Sequence, residues 1–213
     1  MVKITIISDT HGEHGEIDMD LLSGDIIIHC GDFVFNSYSN YDVTDFLDWF
    51  SKLDNFTHKV LIAGNHELQF EGEGNKLLMK YKDDVIYLED DFVELCGLKI
   101  YGTPYQPNFR DWAFNLPREG DELRSKYALI PENTDVLITH NPPYKILDLV
   151  GTEHCGSKLL RDRVDEIKPK LHVFGHIHED AGEYKTKHTH FINAAQMDRA
   201  YNLANKPISV VIE

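Results

Sequence analysis

The sequence contains few cysteines, and none of them lies close to another. Three occur in 213 residues, at Cys30, Cys96 and Cys155. An odd number at such wide spacing does not suit a disulfide framework, and the lack of a Cys-x-x-Cys pair argues against a zinc ribbon. We therefore expect the three cysteines to be structural or incidental.

Long apolar runs are also missing. No run approaches the roughly 18 residues that a helix needs to cross a membrane. The chain begins Met1-Val2-Lys3 and continues directly into a strand-like segment at 4–7, without the pattern of a secretory signal. We expect a cytoplasmic protein without a membrane partner.

The sequence also lacks clusters of lysine and arginine. The chain has 36 acidic and 21 basic residues, and its net charge is −15 at pH 7. Tight binding to DNA or RNA requires a basic surface that releases counterions, so a long nucleic acid is not expected as a partner. Some of the carboxylates can hold cations, and most of the others are expected to be solvated.

Length and composition predict one domain over residues 1–213, because 42% of the residues are hydrophobic and can fill one substantial core. Five short runs rich in β-branched residues have the length of buried strands: 2–8, 26–30, 59–63, 135–139 and 171–174. Helical spacing is found at 46–53, 76–81, 121–127 and 157–167. This alternation predicts an α/β protein.

The segment 85–101 and the tail of the chain have a different pattern. Strands are predicted at 85–88, 92–95 and 98–101, with tight breaks that favour a hairpin or meander, and again at 191–193 and 208–212. One parallel sheet would not need these strands, so a second sheet packed on the first is predicted. Residues 102–118 are expected to form an irregular aromatic loop.

Polar residues of the same few kinds follow each of the five buried strands. These candidate ligands are Asp9, His11, Asp32, Asn65, His140, His176 and His178. Taken singly, each of these residues could have a structural role instead, as a helix or turn cap, a left-handed loop residue or a hydrogen-bonded histidine. Together they predict a metal site, since ligands bind at the carboxyl ends of strands in open α/β sheets, and buried carboxylates and imidazoles need compensating cations.

The kinds of ligand narrow the choice of metal. Carboxylates, imidazoles and one amide, without a thiolate, suit Mn²⁺, Fe, Zn²⁺, Co²⁺ or Ni²⁺ better than Ca²⁺ or a structural Zn²⁺. Seven candidate ligands are too many for one tetrahedral ion. They predict two divalent transition-metal ions, with Mn²⁺ as first choice, about 3.5–4 Å apart and sharing a bridging carboxylate.

The order of the motifs resembles that of the calcineurin-like metallophosphoesterases. Asp-x-His, Gly-Asp, Gly-Asn-His-Glu, a strand-end His and Gly-His-x-His follow one another over nearly the whole chain. Longer stretches are similar to the metallophosphoesterase-domain-containing (MPPED-type) phosphodiesterases: ISDTH at 7–11, AGNHEL at 63–68, YGTPYQP at 101–107 and FNLPR at 114–118. That subfamily usually has glycine where this chain has Asn141, so the shape of the loop after His140 is expected to differ.

The resemblance implies a fold and a set of ligands. The fold is a four-layer αββα sandwich of two mixed β-sheets flanked by helices. The implied ligands form two sets that share Asp32 as a bridge: Asp9, His11, Asp32 and His178 in one, and Asp32, Asn65, His140 and His176 in the other. His66 is implied to face the phosphate and not to bind a metal.

The expected chemistry is hydrolysis of a phosphodiester by a metal-bound hydroxide. Two divalent cations carry more charge than Asp9 and Asp32, so a hydroxide and a phosphodiester monoanion neutralise the site, which favours a diester over a dianionic monoester. Asn65 is predicted to stabilise charge on the phosphoryl oxygens. His66, when protonated, is predicted to act as a general acid, or alternatively only to support its neighbours.

Substrate selection is expected to come from the 102–118 loop. Trp112 and Phe114 can stack on a nucleobase or fill a small local core, and Arg110 and Arg118 can meet a second phosphate or simply be solvated. The resemblance favours a cyclic nucleotide or similar small phosphodiester as substrate. The alternatives are a phosphomonoesterase or phosphoprotein phosphatase, and a catalytically weak nucleotide-binding or scaffold protein. The sequence leaves monomer and dimer equally open.

Overall fold

The computed structural model describes residues 1–35, 39–71 and 75–213. The strands are β1 Val2–Ile7, β2 Ile26–His29, β3 His58–Leu61, β4 Ile86–Tyr87, β5 Asp91–Leu95, β6 Leu98–Thr103, β7 Gln106–Pro107, β8 Asn115–Leu116, β9 Val136–Thr139, β10 Leu149–Val150, β11 Glu153–His154, β12 Leu171–Phe174, β13 Gly182–Lys185, β14 His190–Asn193 and β15 Ile208–Ile212. The α-helices are α1 Asn40–Phe50, α2 Asn75–Leu78, α3 Asp121–Ala128 and α4 Lys158–Ile167. Short 3₁₀ helices occupy Glu13–Glu16, Met19–Leu21, Leu68–Phe70 and His178–Asp180. Over these described ranges, no helix combines the length and the apolar character needed to cross a membrane.

Two mixed sheets form the centre of the molecule. The first has the order β15-β1-β2-β3-β4, in which β1 to β4 are parallel and β15 is antiparallel to β1. The second has the order β13-β14-β12-β9-β6-β5, in which the four inner strands are parallel and both edge strands are antiparallel to their neighbours. Both sheets therefore contain adjacent parallel strands whose carboxyl ends lie at one edge.

Successive side chains of these strands fill different apolar layers, because they point to opposite faces of a sheet. In β1, Ile6 packs in the layer between the two sheets, whereas Ile7 packs in the layer that contains α1. In β9, Ile138 belongs to the layer between the sheets and Leu137 to the layer that contains α3 and α4. The layers run helix, sheet, sheet, helix, so the fold expected from the resemblance is confirmed.

Helix α1 covers the outer face of the first sheet. The Ser39 side chain caps it by accepting a hydrogen bond from Asp42 N at 3.1 Å. Its buried residues, spaced three or four apart along one face, are Val43, Phe46, Leu47 and Phe50. The prediction of a helix from the apolar stripe at 46–53 is confirmed.

The second sheet is present, but its members differ from those that the local patterns suggested. The predicted strands at 135–139 and 171–174 lie in the second sheet as β9 and β12, whereas the tail strand β15 joins the first. The 85–101 meander is divided, with β4 in the first sheet and β5 and β6 in the second. Local periodicity reports which face of a strand is buried and not which distant strand it pairs with.

Two smaller predictions also need correction, and one strand was not predicted. Residues 102–118 are not wholly irregular, since β6 continues to Thr103 and β7 pairs with β8. The helix predicted at 76–81 is the single turn α2, which ends at Leu78. Strand β13 was missed because it is a charged, largely exposed edge strand without apolar alternation.

Candidate metal centre

The carboxyl ends of five strands meet at one edge of the sandwich, three from the first sheet and two from the second. Backbone hydrogen bonds join these ends: Asp9 N donates to Gly31 O at 3.0 Å, and Gly175 N donates to His140 O at 3.0 Å. A further parallel bridge links Ser8 to Ala195. All seven candidate ligands lie at this edge, and each has a contact to another member of the set.

The backbone at this edge is strained. Asp9, His11, Asp32 and His176 have φ values of 51°, 42°, 54° and 66°, a left-handed conformation that costs an L-residue on the order of 1–3 kcal/mol. Gly175 allows the turns to approach closely, since a Cβ there would overlap the carboxylate of Asp9. Strain concentrated at one edge is typical of a functional site.

The first group of ligand atoms comes from Asp9, His11 and His178. His178 Nε2 lies 3.3 Å from Asp9 Oδ1 and 3.3 Å from His11 Nε2. The Nδ1 atoms of the two histidines bond to the carbonyl oxygens of Val34 and Asp198. A carbonyl oxygen only accepts, so each Nδ1 carries a hydrogen and each neutral ring presents its Nε2 lone pair to the group.

The second group comes from Asp32, His140 and His176, with Asn65 beside them. His140 Nε2 lies 3.3 Å from Asp32 Oδ2 and 3.1 Å from Asn65 Oδ1. His140 Nδ1 donates to Cys30 O at 2.8 Å, so this ring also directs an Nε2 lone pair at acceptor oxygens when it is neutral.

Both groups fit divalent cations. In each, nitrogen and oxygen atoms that can act as ligands lie 3.1–3.3 Å apart, close enough for one central cation to bind them in place of a proton. His11 Nε2 also lies 3.9 Å from Asp32 Oδ2, the oxygen that faces His140. Asp32 therefore lies between the two groups, where a bridging ligand would lie.

The pKa values reflect the same crowding of charge. Burial lowers the pKa of His11 to about 4. Burial also acts against the charged forms of His140 and His178, but the adjacent carboxylates of Asp32 and Asp9 raise the pKa of these two histidines to about 9. Two imidazolium rings thus balance the two carboxylates, and bound divalent cations would displace both protons.

His66 lies beside these groups with a different set of contacts. Its backbone N–H donates to Asp32 Oδ1 at 2.8 Å, and its Nδ1 lies 3.0 Å from Phe35 O. Its Nε2 is buried and has no hydrogen-bond partner in the described part of the chain. A ring atom of His66 also lies within 4.8 Å of ligand atoms of His11 and Asp32, so geometry alone permits a ligand or a proton donor. The His66 ring lines the cleft, with its Nε2 free for either role.

Glu67 supports the candidate site, and the sequence reasoning gave it no role although the Gly-Asn-His-Glu motif contains it. Its buried carboxylate accepts hydrogen bonds from Asp32 N at 2.9 Å, Val34 N at 3.1 Å and Gly64 N at 2.6 Å. Burial and the charge of Asp32 raise its pKa to about 8, against the effect of these donors. The side chain fixes the turns after β2 and β3, and so positions Asp32.

A cleft of about 270 Å³ opens over the candidate metal centre, and the two aromatic residues predicted to contact substrate differ in their relation to it. Trp112 lines it, with its ring centroid 4.3 Å from that of His66. Phe114 is 1% exposed and packs edge-on against Tyr105 within the core, so the prediction that it contacts substrate was wrong. His14 also lies away from the cleft lining, packed against Phe46 and Trp49.

The fold and the two ligand groups are those of a metal-dependent phosphoesterase. The family model of the calcineurin-like phosphoesterases matches residues 2–180, and the chain belongs to this family. It is 37% identical to human metallophosphoesterase domain-containing protein 1, over 98% of this chain and 70% of that protein. It is also 37% identical to UPF0046 protein T07D4.2 of Caenorhabditis elegans, over 97% of this chain and 59% of that protein.

Solved structures add a likeness of fold. The crystal structure of TT1561 from Thermus thermophilus superimposes with a TM-score of 0.68 at 14% identity, covering 98% of both chains. At this identity the likeness shows the shared sandwich alone.

Proposed function

We propose that the chain is a phosphodiesterase that hydrolyses cyclic nucleotides or similar small phosphodiesters with two divalent metal ions. The observation that carries the proposal is the pair of acceptor-rich groups on either side of Asp32, at the floor of one cleft. Asp9, His11, Asp32 and His178 would hold one ion, and Asp32, Asn65, His140 and His176 the other. Mn²⁺ is the first metal to test.

The protein's own side chains supply orientation and a proton. When bound, the two cations would act as Lewis acids and provide hydroxide near neutral pH. The Asn65 amide nitrogen is buried without a hydrogen-bond partner in the described part of the chain, so it is free to donate to a phosphoryl oxygen. His66 Nε2, equally free, donates to the leaving oxygen when the ring is protonated.

The charge of the site supports a diester as substrate. Only Asp9 and Asp32 bring negative charge to the seven ligands, and Glu67 bonds to backbone N–H groups instead of facing the cleft. Together with these two carboxylates, two divalent ions, a hydroxide and a phosphodiester monoanion have a total charge of zero, whereas a dianionic monoester leaves a negative excess. The volume of about 270 Å³ also suits a small molecule better than a phosphorylated protein segment.

We expect a matched diester to be hydrolysed faster than its monoester. The measurement is kcat/KM for bis(p-nitrophenyl) phosphate and for p-nitrophenyl phosphate, with Mn²⁺, Zn²⁺, Co²⁺ and Ni²⁺ in turn. A set of 2′,3′- and 3′,5′-cyclic nucleotides then tests the substrate class. A monoester rate equal to the diester rate would favour the phosphomonoesterase instead, and no hydrolysis of any ester would favour a binding or scaffold role.

Alanine substitutions at Trp112 and Phe114 compare an aromatic residue that lines the cleft with one that is buried. We expect Trp112→Ala to raise KM for a nucleotide about tenfold, because a stacked base contributes roughly 1–3 kcal/mol, and to alter thermal stability little. Phe114→Ala should instead lower the free energy of unfolding by about 3–5 kcal/mol, as for other buried aromatic residues. Denaturant unfolding and steady-state kinetics on both variants check this. Equal KM values for wild type and Trp112→Ala would exclude stacking on Trp112.

A further inference from the structure

Arg118 lies in the wall of the cleft. Within residues 1–35, 39–71 and 75–213, no carboxylate forms an ion pair with its guanidinium group. Its Nη1 donates to Cys155 O at 3.0 Å and to Gly156 O at 3.1 Å. Arg199, which also lines the cleft, instead lies 3.7 Å from Glu179 Oε1.

The two carbonyl contacts fix the guanidinium and leave its other edge free. Nη1 uses its hydrogens on the carbonyls of the segment that precedes α4. Nε and Nη2 share the opposite edge, where their parallel N–H groups can receive both oxygens of a carboxylate or phosphate. Because one edge is already held, little rotamer freedom remains to be lost on binding an anion.

Arg118 also stands between two cavities. It lines the cleft together with Asn65 and His66, and it lines a neighbouring cavity of about 400 Å³ together with His154 and Lys158. Cys155 borders both, so the cavities adjoin.

The neighbouring cavity contains acidic groups as well. Glu119 lines it and lies 3.5 Å from Lys158 Nζ, and exposed Glu153 lines it too. His154 Nδ1 bonds at 2.6 Å to buried Asp148. Among the cations that line this cavity in the described part of the chain, Arg118, at the junction of the two cavities, is therefore the one without an acidic partner.

We infer that Arg118 selects diesters that carry a second anionic group, a phosphate or carboxylate outside the ester that reacts. This inference rests on the proposed phosphodiesterase function and names its substrate class. The reacting phosphate lies over the metal centre, and the second anion binds the free edge of Arg118 and extends toward the neighbouring cavity.

Competition between two inhibitors tests the inference in the Mn²⁺-loaded chain of 213 residues. Adenosine 3′-phosphate and adenosine 3′,5′-bisphosphate differ by one phosphate, and each is titrated against the hydrolysis of bis(p-nitrophenyl) phosphate. We expect the bisphosphate to bind at least about tenfold more tightly, as one charge-assisted contact would give. In Arg118→Gln the ratio of the two inhibition constants should fall to about one.

Two further variants make the outcome specific. Arg124→Gln makes the same change of charge at an exposed position on α3 and should keep the wild-type ratio. Arg118→Lys keeps the charge but lacks the paired N–H groups of a guanidinium, so we expect a ratio between those of the wild type and Arg118→Gln. This variant tests the inference if Arg118→Gln does not fold. A wild-type ratio near one, a ratio unchanged in Arg118→Gln, or equal weakening of both inhibitors in that variant would overturn it.

If the chain is not a phosphodiesterase, the same experiment gives a different result. Bis(p-nitrophenyl) phosphate would then not be hydrolysed by the wild-type protein at all. Calorimetric titration of the two nucleotides still gives the ratio of their affinities without turnover, so the role of Arg118 is tested in either case.

Discussion

Asp32→Asn is expected to abolish hydrolysis, with a loss of at least about 10³-fold in kcat, or roughly 4 kcal/mol of transition-state stabilisation. Asp32 Oδ2 lies 3.3 Å from His140 Nε2 and 3.9 Å from His11 Nε2, so one carboxylate serves both ligand groups. An amide has the same shape but lacks the charge that holds two cations together. Bound metal, measured by elemental analysis after gel filtration, should fall below the two ions per chain expected for the wild type.

The asparagine variant is chosen so that the fold survives. Asp32 has φ 54°, a conformation that asparagine also tolerates. Asp45→Asn is the matched control, since its side chain is 55% exposed and its carboxylate contacts His14 outside the cleft. Wild-type activity in Asp32→Asn, at an unchanged metal content, would refute the bridged metal centre.

His66→Ala is expected to lose more than about tenfold in kcat and to keep both metals, since a general acid typically contributes 10²–10⁴-fold. The Nδ1 of His66 is engaged with Phe35 O, and its Nε2 has no partner in the described part of the chain. The hydrogen bond from His66 to Asp32 does not depend on the imidazole, because its donor is the backbone N–H of His66. Steady-state kinetics and metal analysis on the same preparation measure both quantities.

The acid role predicts more than a lower rate. The loss should shrink for an ester with a good leaving group, such as p-nitrophenolate, because that oxygen needs no proton. His14→Ala removes another buried histidine, one whose Nε2 faces Asp45 at 3.4 Å, and should keep wild-type kinetics. Fewer bound ions in His66→Ala would make His66 a metal ligand instead.

The kinds of residue in the candidate centre could be predicted because they follow apolar strands directly. Asp9 comes two residues after β1, and His140 one residue after β9. Strand ends of this type are visible in local sequence, and their shared chemistry indicated one site. Glu67 was overlooked because its partners are backbone N–H groups, which no sequence pattern displays.

The aromatic loop shows where local sequence stops being informative. Trp112 and Phe114 are two residues apart and chemically alike, yet one lines the cleft and the other is buried. The backbone decides between them: Phe114 has φ 56°, and its carbonyl accepts a hydrogen bond from Gln106 N at 3.0 Å. This turn directs the ring of Phe114 into the core.

The α/β character, the strand-end positions of the seven candidate ligands and the family resemblance could all be predicted before the structure was known. These features are local, because strand periodicity and the residue that follows a strand are read within a few positions. Three further features became visible in the folded chain: three ligand-bearing strands lie in one sheet and two in the other, Asp32 lies between the two ligand groups, and Arg118 faces the cleft. Contacts between residues such as Asp9 and His178 depend on how two sheets pack, and the strand pairings behind that packing are not specified by any local pattern.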